Sequence, residues 1–317
     1  MRKLDELLVG KSTVAIAGHI RPDGDCTGSC LGVYNYISKN YPDIKADVYL
    51  EPVPESFLFL QGADKIKHDM QEERIYDLFI ALDSGDLGRL GKAATYFHSA
   101  RHTICIDHHI SNTGYADENY IVADASSTCE LVYLILEDDK IDKASAEALY
   151  VGIVHDTGIF QYSSTGEQTM QIAGRLMSKG IAFTEIIDKT YYEKSYAQKQ
   201  ILGRALLESV LLLDGQCIFT AIKKSTMEFY HVEPKDLDGI VSHLRSTAGV
   251  ECAIFLYETA SYEYKVSMRS KQKVDVSRIA SLFGGGGHVR AAGCTMSGTV
   301  HDVVNNIVVQ VERQLAV

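Results

Sequence analysis

Long apolar runs are missing from this chain. The longest span six residues, Leu131 to Leu136 and Cys252 to Tyr257, against the ~18 that a membrane-crossing helix needs. Asp5 and Glu6 stand where a signal peptide would carry its apolar stretch, so a soluble, cytoplasmic protein without membrane contact is expected. Cysteines number seven, an odd count with no CxxC pair, which does not read as a disulfide framework. Positive charge is also scarce: 31 lysines and arginines face 42 acidic residues, a net charge of −11. Tight binding to long nucleic acid uses a basic face that releases counterions, and this composition argues against it. Small phosphorylated substrates are not excluded, because a few local cations or metal ions can hold them. Only five prolines occur, three of them between Pro42 and Pro54. No linker, repeat or low-complexity segment breaks the chain. At ~150 residues per domain, 317 residues suggest two domains.

In the first half, short apolar runs alternate with amphipathic stretches. Thr13 to Gly18, Asp47 to Leu50, Tyr76 to Asp83 and His102 to Asp107 read as strands. Gly28 to Lys39, Ser126 to Asp138, Lys143 to His155 and Gln168 to Lys179 read as helices. This alternation predicts an α/β fold whose parallel sheet has helices on both faces. Phe183 to Leu213 looks mainly helical. A smaller α/β unit follows, with strands at Cys217 to Ile222, Glu251 to Thr259 and Tyr262 to Arg269, a helix near Val274 to Phe283 and a last helix from His301. The expected division is residues 1–190, a helical connector at 191–214, and residues 215–317.

The chemistry gathers where strands end. The first strand runs into His19-Ile20-Arg21-Pro22-Asp23-Gly24-Asp25 and a later one into Asp83-Ser84-Gly85-Asp86. Another ends in Asp107-His108-His109, and the apolar stretch Leu149 to Val154 delivers His155-Asp156-Thr157-Gly158. One Pro-Asp-Gly-Asp run is an ordinary turn, but four such segments, three of them at the carboxyl ends of strands where parallel sheets bind ligands, point to a site. Oxygen and imidazole donors suit hard to borderline divalent ions such as Mn²⁺. Two such ions would neutralise four ligand aspartates and let an acidic protein hold phosphate.

HIRPDGD, ALDSGD, DHH and HDTG, in this order, resemble the DHH phosphoesterase superfamily. Gly284-Gly285-Gly286-Gly287-His288-Val289-Arg290-Ala291-Ala292-Gly293 resembles the GGGGHxxAAG motif of the DHH-associated C-terminal domain. The layout is similar to that of the bacterial group acting on nanoRNA and 3′-phosphoadenosine 5′-phosphate (pAp). The resemblance implies two divalent cations, Mn²⁺ first among them, one on His19, Asp23 and Asp83 and a second on Asp25, Asp83, His108 and Asp156. Asp107 would orient a histidine by accepting its distal N–H. His109 would reach the scissile phosphoryl group, and His155 would pack or support a ligand from behind rather than ligate. In the second domain Gly284, Gly285, Gly286 and Gly287 would offer backbone N–H groups to phosphate oxygens beside His288. Arg269 would clamp a terminal phosphate, because guanidinium matches phosphate bidentately, with Lys271 and Arg290 behind it.

The function so implied is hydrolysis of very short oligoribonucleotides to mononucleotides and of pAp to AMP, with the second domain holding the part of the substrate remote from the metals. Three alternatives stand beside it: a phosphodiesterase for cyclic dinucleotides or their linear products, an inorganic pyrophosphatase, and a nucleotide-sensing module without turnover. Met268-Arg269-Ser270-Lys271-Gln272 matches in part the SRKKQ-like motif of the pyrophosphatase branch, whereas the glycine run with His288 favours a nucleotide. The sequence leaves the oligomeric state, including a homodimer, open.

Overall fold

The computed structural model describes residues 2–69 and 74–316. Two compact units, Met1–Glu193 and Lys194–Val317, make up the chain. In the first, elements run α1 (Leu4–Leu7), β1 (Thr13–Ala17), α2 (Gly24–Asn40), β2 (Lys45–Tyr49), β3 (Leu78–Leu82), α3 (Ala94–Ser99), β4 (Thr103–Asp107), β5 (Glu118–Ile121), α4 (Thr128–Ile135), α5 (Lys143–Asp156), α6 (Glu167–Ser178) and α7 (Phe183–Ile187). The five strands pair in parallel in the order β2-β1-β3-β4-β5. β1 is flanked by β2 on one side and β3 on the other, so the chain changes direction across the sheet between them. That crevice is where an open parallel sheet binds ligands, and His19 and Asp83 follow the two strands that border it.

Both faces are covered, as the alternation requires. Val14, Ile16, Ile80 and Ile104 pack with residues of α2, α4 and α5. Ala15, Ala17, Phe79 and Ala81 point the other way, toward Leu90, Ala93, Tyr96 and Phe97. β3 is buried along its whole length, which explains why its sequence is a continuous apolar run rather than an alternating one. α2 and α5 approach closely because Gly28 has no side chain; a Cβ there would stand 2.4 Å from the Ala148 carbonyl oxygen.

α2 starts four residues before the expected Gly28. The Asp23 side chain accepts from the N–H groups of Asp25 and Cys26, so the Pro-Asp-Gly-Asp run is the cap and first turn of a helix. α4 is shorter than expected, starting after its Ser127 cap and ending at Ile135. β5 escaped prediction because it is a short edge strand whose side chains are only partly covered.

The second unit contains α8 (Tyr196–Leu207), β6 (Val210–Leu212), β7 (Cys217–Ile222), α9 (Lys224–Tyr230), α10 (Ile240–Arg245), β8 (Cys252–Ala260), β9 (Glu263–Ser270), α11 (Val276–Leu282), β10 (Gly286–His288), β11 (Ala291–Ser297) and α12 (Val300–Leu315). Its mixed sheet has the order β10-β11-β9-β8-β7-β6. Only β7 and β8 pair in parallel. Val266 and Met268 face α11 and α12 through Ile279, Val303 and Ile307. Ala253 and Phe255 face the opposite side, with Ile201 of α8 and Leu244 of α10. The stretch expected to be helical from Phe183 to Leu213 is therefore heterogeneous. It holds α7, a π-helical turn at Asp188–Tyr192, α8 on the core of the second unit, and then the edge strand β6.

Candidate metal and phosphoryl-transfer site

At the end of β1, His19 donates from Nδ1 to its neighbour's carbonyl, Ile20 O, at 2.8 Å. Its Nε2 is thereby aimed inward, 3.5 Å from Asp23 Oδ2 and 3.4 Å from Asp83 Oδ2. Asp23 spends one oxygen on capping α2 and turns the other to His19. Burial opposes ionisation of Asp23, but His19 and the backbone N–H of Cys26 hold its pKa down to about 2. Asp83 leaves β3 with a φ of 53°, a left-handed conformation that costs a non-glycine residue ~1 kcal/mol or more. That turn carries its carboxylate into the crevice, where only 2% of the residue is exposed.

His108 repeats the arrangement of His19. Its Nδ1 faces the Ala125 carbonyl at 3.3 Å. Its Nε2 faces Asp156 Oδ2 at 3.1 Å, Asp83 Oδ1 at 3.7 Å and Asp25 Oδ2 at 3.9 Å. Asp25 is fully buried. Burial, and then the charges of Asp83 and Asp156, hold its carboxyl well above the usual range. Burial also disfavours the charged His108 ring, but Asp156, Asp25 and Asp83 outweigh it and push the pKa up to about 10.

These donors fit divalent cations. Three carboxylates converge on one ring nitrogen with too little positive charge among them, and both imidazoles spend the other nitrogen on a backbone carbonyl, as ligating histidines do. The two oxygens of Asp83 face different nitrogens, Oδ2 toward His19 and Oδ1 toward His108, the disposition a bridging carboxylate needs. Cys26 lies with His19 and Asp83, but burial and then Cys30 push its thiol well up. It behaves as a packed hydrophobe rather than as a thiolate donor.

His109 lies in the same cluster, its Nδ1 3.7 Å from Asp83 Oδ1, but its short bond goes elsewhere. Its Nδ1 donates to Asp107 Oδ1 at 2.7 Å, and this bond raises the pKa of the ring. Asp107 is fully buried and also accepts from Asn112 Nδ2 at 2.7 Å and from the His108 N–H at 2.9 Å. Burial works against the ionised form of Asp107, yet His109 and Asn112 hold its pKa below the ordinary value. The ring of His155 meets Phe57 and Tyr191 edge-on, with centroids 5.0 and 5.8 Å away.

The remaining predicted residues lie in the second unit. His288 of β10 pairs with Ala291 of β11, which pairs with Arg269 of β9, so the three form one row across adjacent strands. Pairs in a row share a face, here the face opposite to that of Met268 and Ala292, with Gly286, Gly293 and Ser267 in the next row. The glycine run is not an open loop. The Gly284 and Gly285 N–H groups donate to the Ser281 and Ala280 carbonyls. At Gly287, with φ +143°, a Cβ would stand 2.5 Å from the Ala291 carbonyl oxygen, so strand approach demands this glycine. Gly286 has open space beside it. Lys271 donates to the Thr247 carbonyl and Arg290 to that of Val274.

Sequence reasoning missed the groups that hold the candidate ligands. The N–H groups of Thr128 and Cys129 grip the two oxygens of Asp25 at 2.6 and 2.9 Å, and the Thr128 hydroxyl donates to Asp83. Ser126-Ser127-Thr128 reads as one helix cap, and three hydroxyls where a cap needs one was the available signal. Asn112 reads as a turn residue in Ser111-Asn112-Thr113-Gly114 and carried no signal of its own.

This fold and this site define a class. Residues 13–153 match the N-terminal domain of the DHH family and residues 216–316 match the DHHA1 domain. The chain belongs to the DHH family and carries a DHHA1 domain, an architecture of metal-dependent phosphoester hydrolases. Among individual proteins, it is similar to the bifunctional oligoribonuclease and PAP phosphatase NrnA of Bacillus subtilis, at 29% identity over 290 residues, 90% of this chain and 89% of that one. The NrnA of Thermus thermophilus is 26% identical over 320 residues, 99% of this chain and 94% of its own. The crystal structure of an exopolyphosphatase-related protein from Bacteroides fragilis matches with a TM-score of 0.87 at 27% identity, covering 98% of this chain and 94% of that one. Among the described residues no helix is long and apolar enough to cross a membrane.

Proposed function

We propose that this chain hydrolyses very short oligoribonucleotides to mononucleotides and pAp to AMP, using two divalent cations, Mn²⁺ foremost. One observation carries the reading: Asp25, Asp83 and Asp156 converge on His108 Nε2 while His19 Nε2 faces the other oxygen of Asp83. His19, Asp23 and Asp83 would hold one ion, and Asp25, Asp83, His108 and Asp156 the second. Divalent ions supply Lewis acidity toward a phosphoryl group. His109 stands beside them with Nδ1 fixed on Asp107, leaving Nε2 on the far side of the ring to donate a proton to a phosphoryl oxygen. In the second unit Arg269 and His288 would grip the phosphate remote from the bond that breaks, which gives oligonucleotide ends and the second phosphate of pAp a common handle. Substrates of this size need no basic surface, in keeping with the net charge.

Pyrophosphate is the weaker reading. In the segment that partly matches the pyrophosphatase motif, the Ser270 N–H donates to the Arg290 carbonyl, the Lys271 N–H to the Glu251 carbonyl and the Gln272 N–H to Glu251 Oε1, so these amides are not open to an anion. The test is a panel with Mn²⁺ over a dinucleotide, pAp, a cyclic dinucleotide and pyrophosphate. Turnover of the dinucleotide and pAp is expected. Turnover confined to either of the others, or none, would overturn the reading.

A further inference from the structure

We propose that Thr128 is a positioning residue that sets the separation and orientation of Asp25 and Asp83, an inference that rests on the two-cation reading above. The problem it solves is visible in the electrostatics. Asp25 and Asp83 are 0% and 2% exposed, and repulsion between the two charges adds to the penalty that burial imposes on Asp25. Unless something holds them, two such carboxylates turn apart.

Thr128 touches both. Its backbone N–H donates to Asp25 Oδ2 at 2.6 Å, and its hydroxyl donates to Asp83 Oδ1 at 3.1 Å. The N–H is one of the unsatisfied donors of the first turn of α4, where the helix dipole favours negative charge. The hydroxyl is free for Asp83 because Ser127 performs the capping, accepting from the Glu130 N–H. Asp83 gains a fixed rotation from this bond. With Oδ1 held by Thr128, Oδ2 is left facing His19 Nε2 at 3.4 Å, and Oδ1 keeps a second lone pair toward His108 at 3.7 Å. A rotated Asp83 could serve one side of the site but not both.

A pair of substitutions separates the hydroxyl from the shape of the side chain. Thr128→Val keeps the volume and the N–H to Asp25 but deletes the donor to Asp83, whereas Thr128→Ser keeps the donor. Metal-stripped wild type and variants are titrated with Mn²⁺ by calorimetry, a readout that needs no turnover. Loss of a hydrogen-bonding partner behind a ligand costs about 10–100-fold in metal affinity, so Thr128→Val should weaken binding by that factor and Thr128→Ser should restore it. Should the valine variant not fold, Thr128→Ala deletes the same hydroxyl with less bulk and must show the same loss. Wild-type affinity in the valine or alanine variant, or a serine variant as weak as valine, would overturn the positioning role while leaving the two-cation reading intact. A wild type that binds no Mn²⁺ would overturn that reading, and this inference with it.

Discussion

Replacing His109 by alanine should separate the holding of cations from the chemistry done beside them. Adjacent histidines are easily taken for two ligands, and each has a nitrogen 3.7 Å from Asp83 Oδ1, but their shortest contacts go to different partners. His108 turns Nε2 to three carboxylates, while His109 commits Nδ1 to Asp107 at 2.7 Å. A donor engaged this way is worth on the order of 10²–10³ in rate when it meets charge that builds in the transition state, about 3–4 kcal/mol. Folding should lose less. Hydrogen bonds to a charged group contribute ~1.5–3 kcal/mol, but the His109 side chain is 27% exposed, so water replaces part of it. Asp107 also keeps its bonds from Asn112 and the His108 N–H, which places the loss near the lower end, ~1–2 kcal/mol. The assay is kcat on a dinucleotide beside Mn²⁺ calorimetry and urea unfolding of the same preparation. A kcat reduced 10²–10³-fold with unchanged metal affinity is expected. Loss of an ion would refute the reasoning and make His109 a ligand; an unchanged kcat would remove it from the chemistry.

Three further outcomes are expected. Asp83→Ala should abolish turnover with the fold retained, because on the proposed reading one carboxylate would serve both cations, and metal analysis should find fewer than two ions per chain; full occupancy with normal turnover would remove Asp83 from the bridge. Arg269→Ala and His288→Ala should depress activity on dinucleotides and pAp far more than on a small activated phosphodiester, since remote contacts act through positioning; equal losses on both would show that these residues support the fold. Asp47 accepts from Lys67, Arg74 and Tyr76, and although burial opposes it, these partners hold its pKa below the ordinary value. A depressed pKa gives stability that is complete above about pH 4 and is lost as pH falls through the depressed value. The melting difference between wild type and Asp47→Asn should therefore shrink on acidification, and a difference that grew would reverse the assignment.

The parallel sheet was legible because its strands are buried runs bounded by polar turns. Leu78 to Leu82 could not be mistaken for a surface segment, and the Asp83 that ends it was marked by position as well as by type. Repetition made the candidate ligands visible: one aspartate after a strand is a turn, whereas three strand ends and the end of α5 carrying the same residue types point to a site. What stayed hidden depends on contacts between residues far apart in sequence. Thr128 meets Asp25 from 103 positions away, and nothing in the neighbourhood of either announces the meeting. β10 was hidden for the opposite reason. Four glycines read as freedom, yet Gly287 is there because the neighbouring strand leaves no room for a side chain. The edge strands β5 and β6 are too short, and bury too little, to impose a period on their sequences.

Ala291 turns the row His288, Ala291, Arg269 into a caliper. Neighbouring strands stand ~4.8 Å apart, so the two polar jaws are two strand spacings from each other, with a single methyl group on the floor between them. Backbone hydrogen bonds fix that gap, and the flexibility of long side chains adjusts it only at the tips. On the proposed reading of Arg269 and His288, gauging an anion would thus fall to the hydrogen-bonded sheet. A larger residue at position 291 would narrow the jaws and leave the ladder of strands as it is, so on that reading the size of phosphate end taken would change in a single step without a new fold.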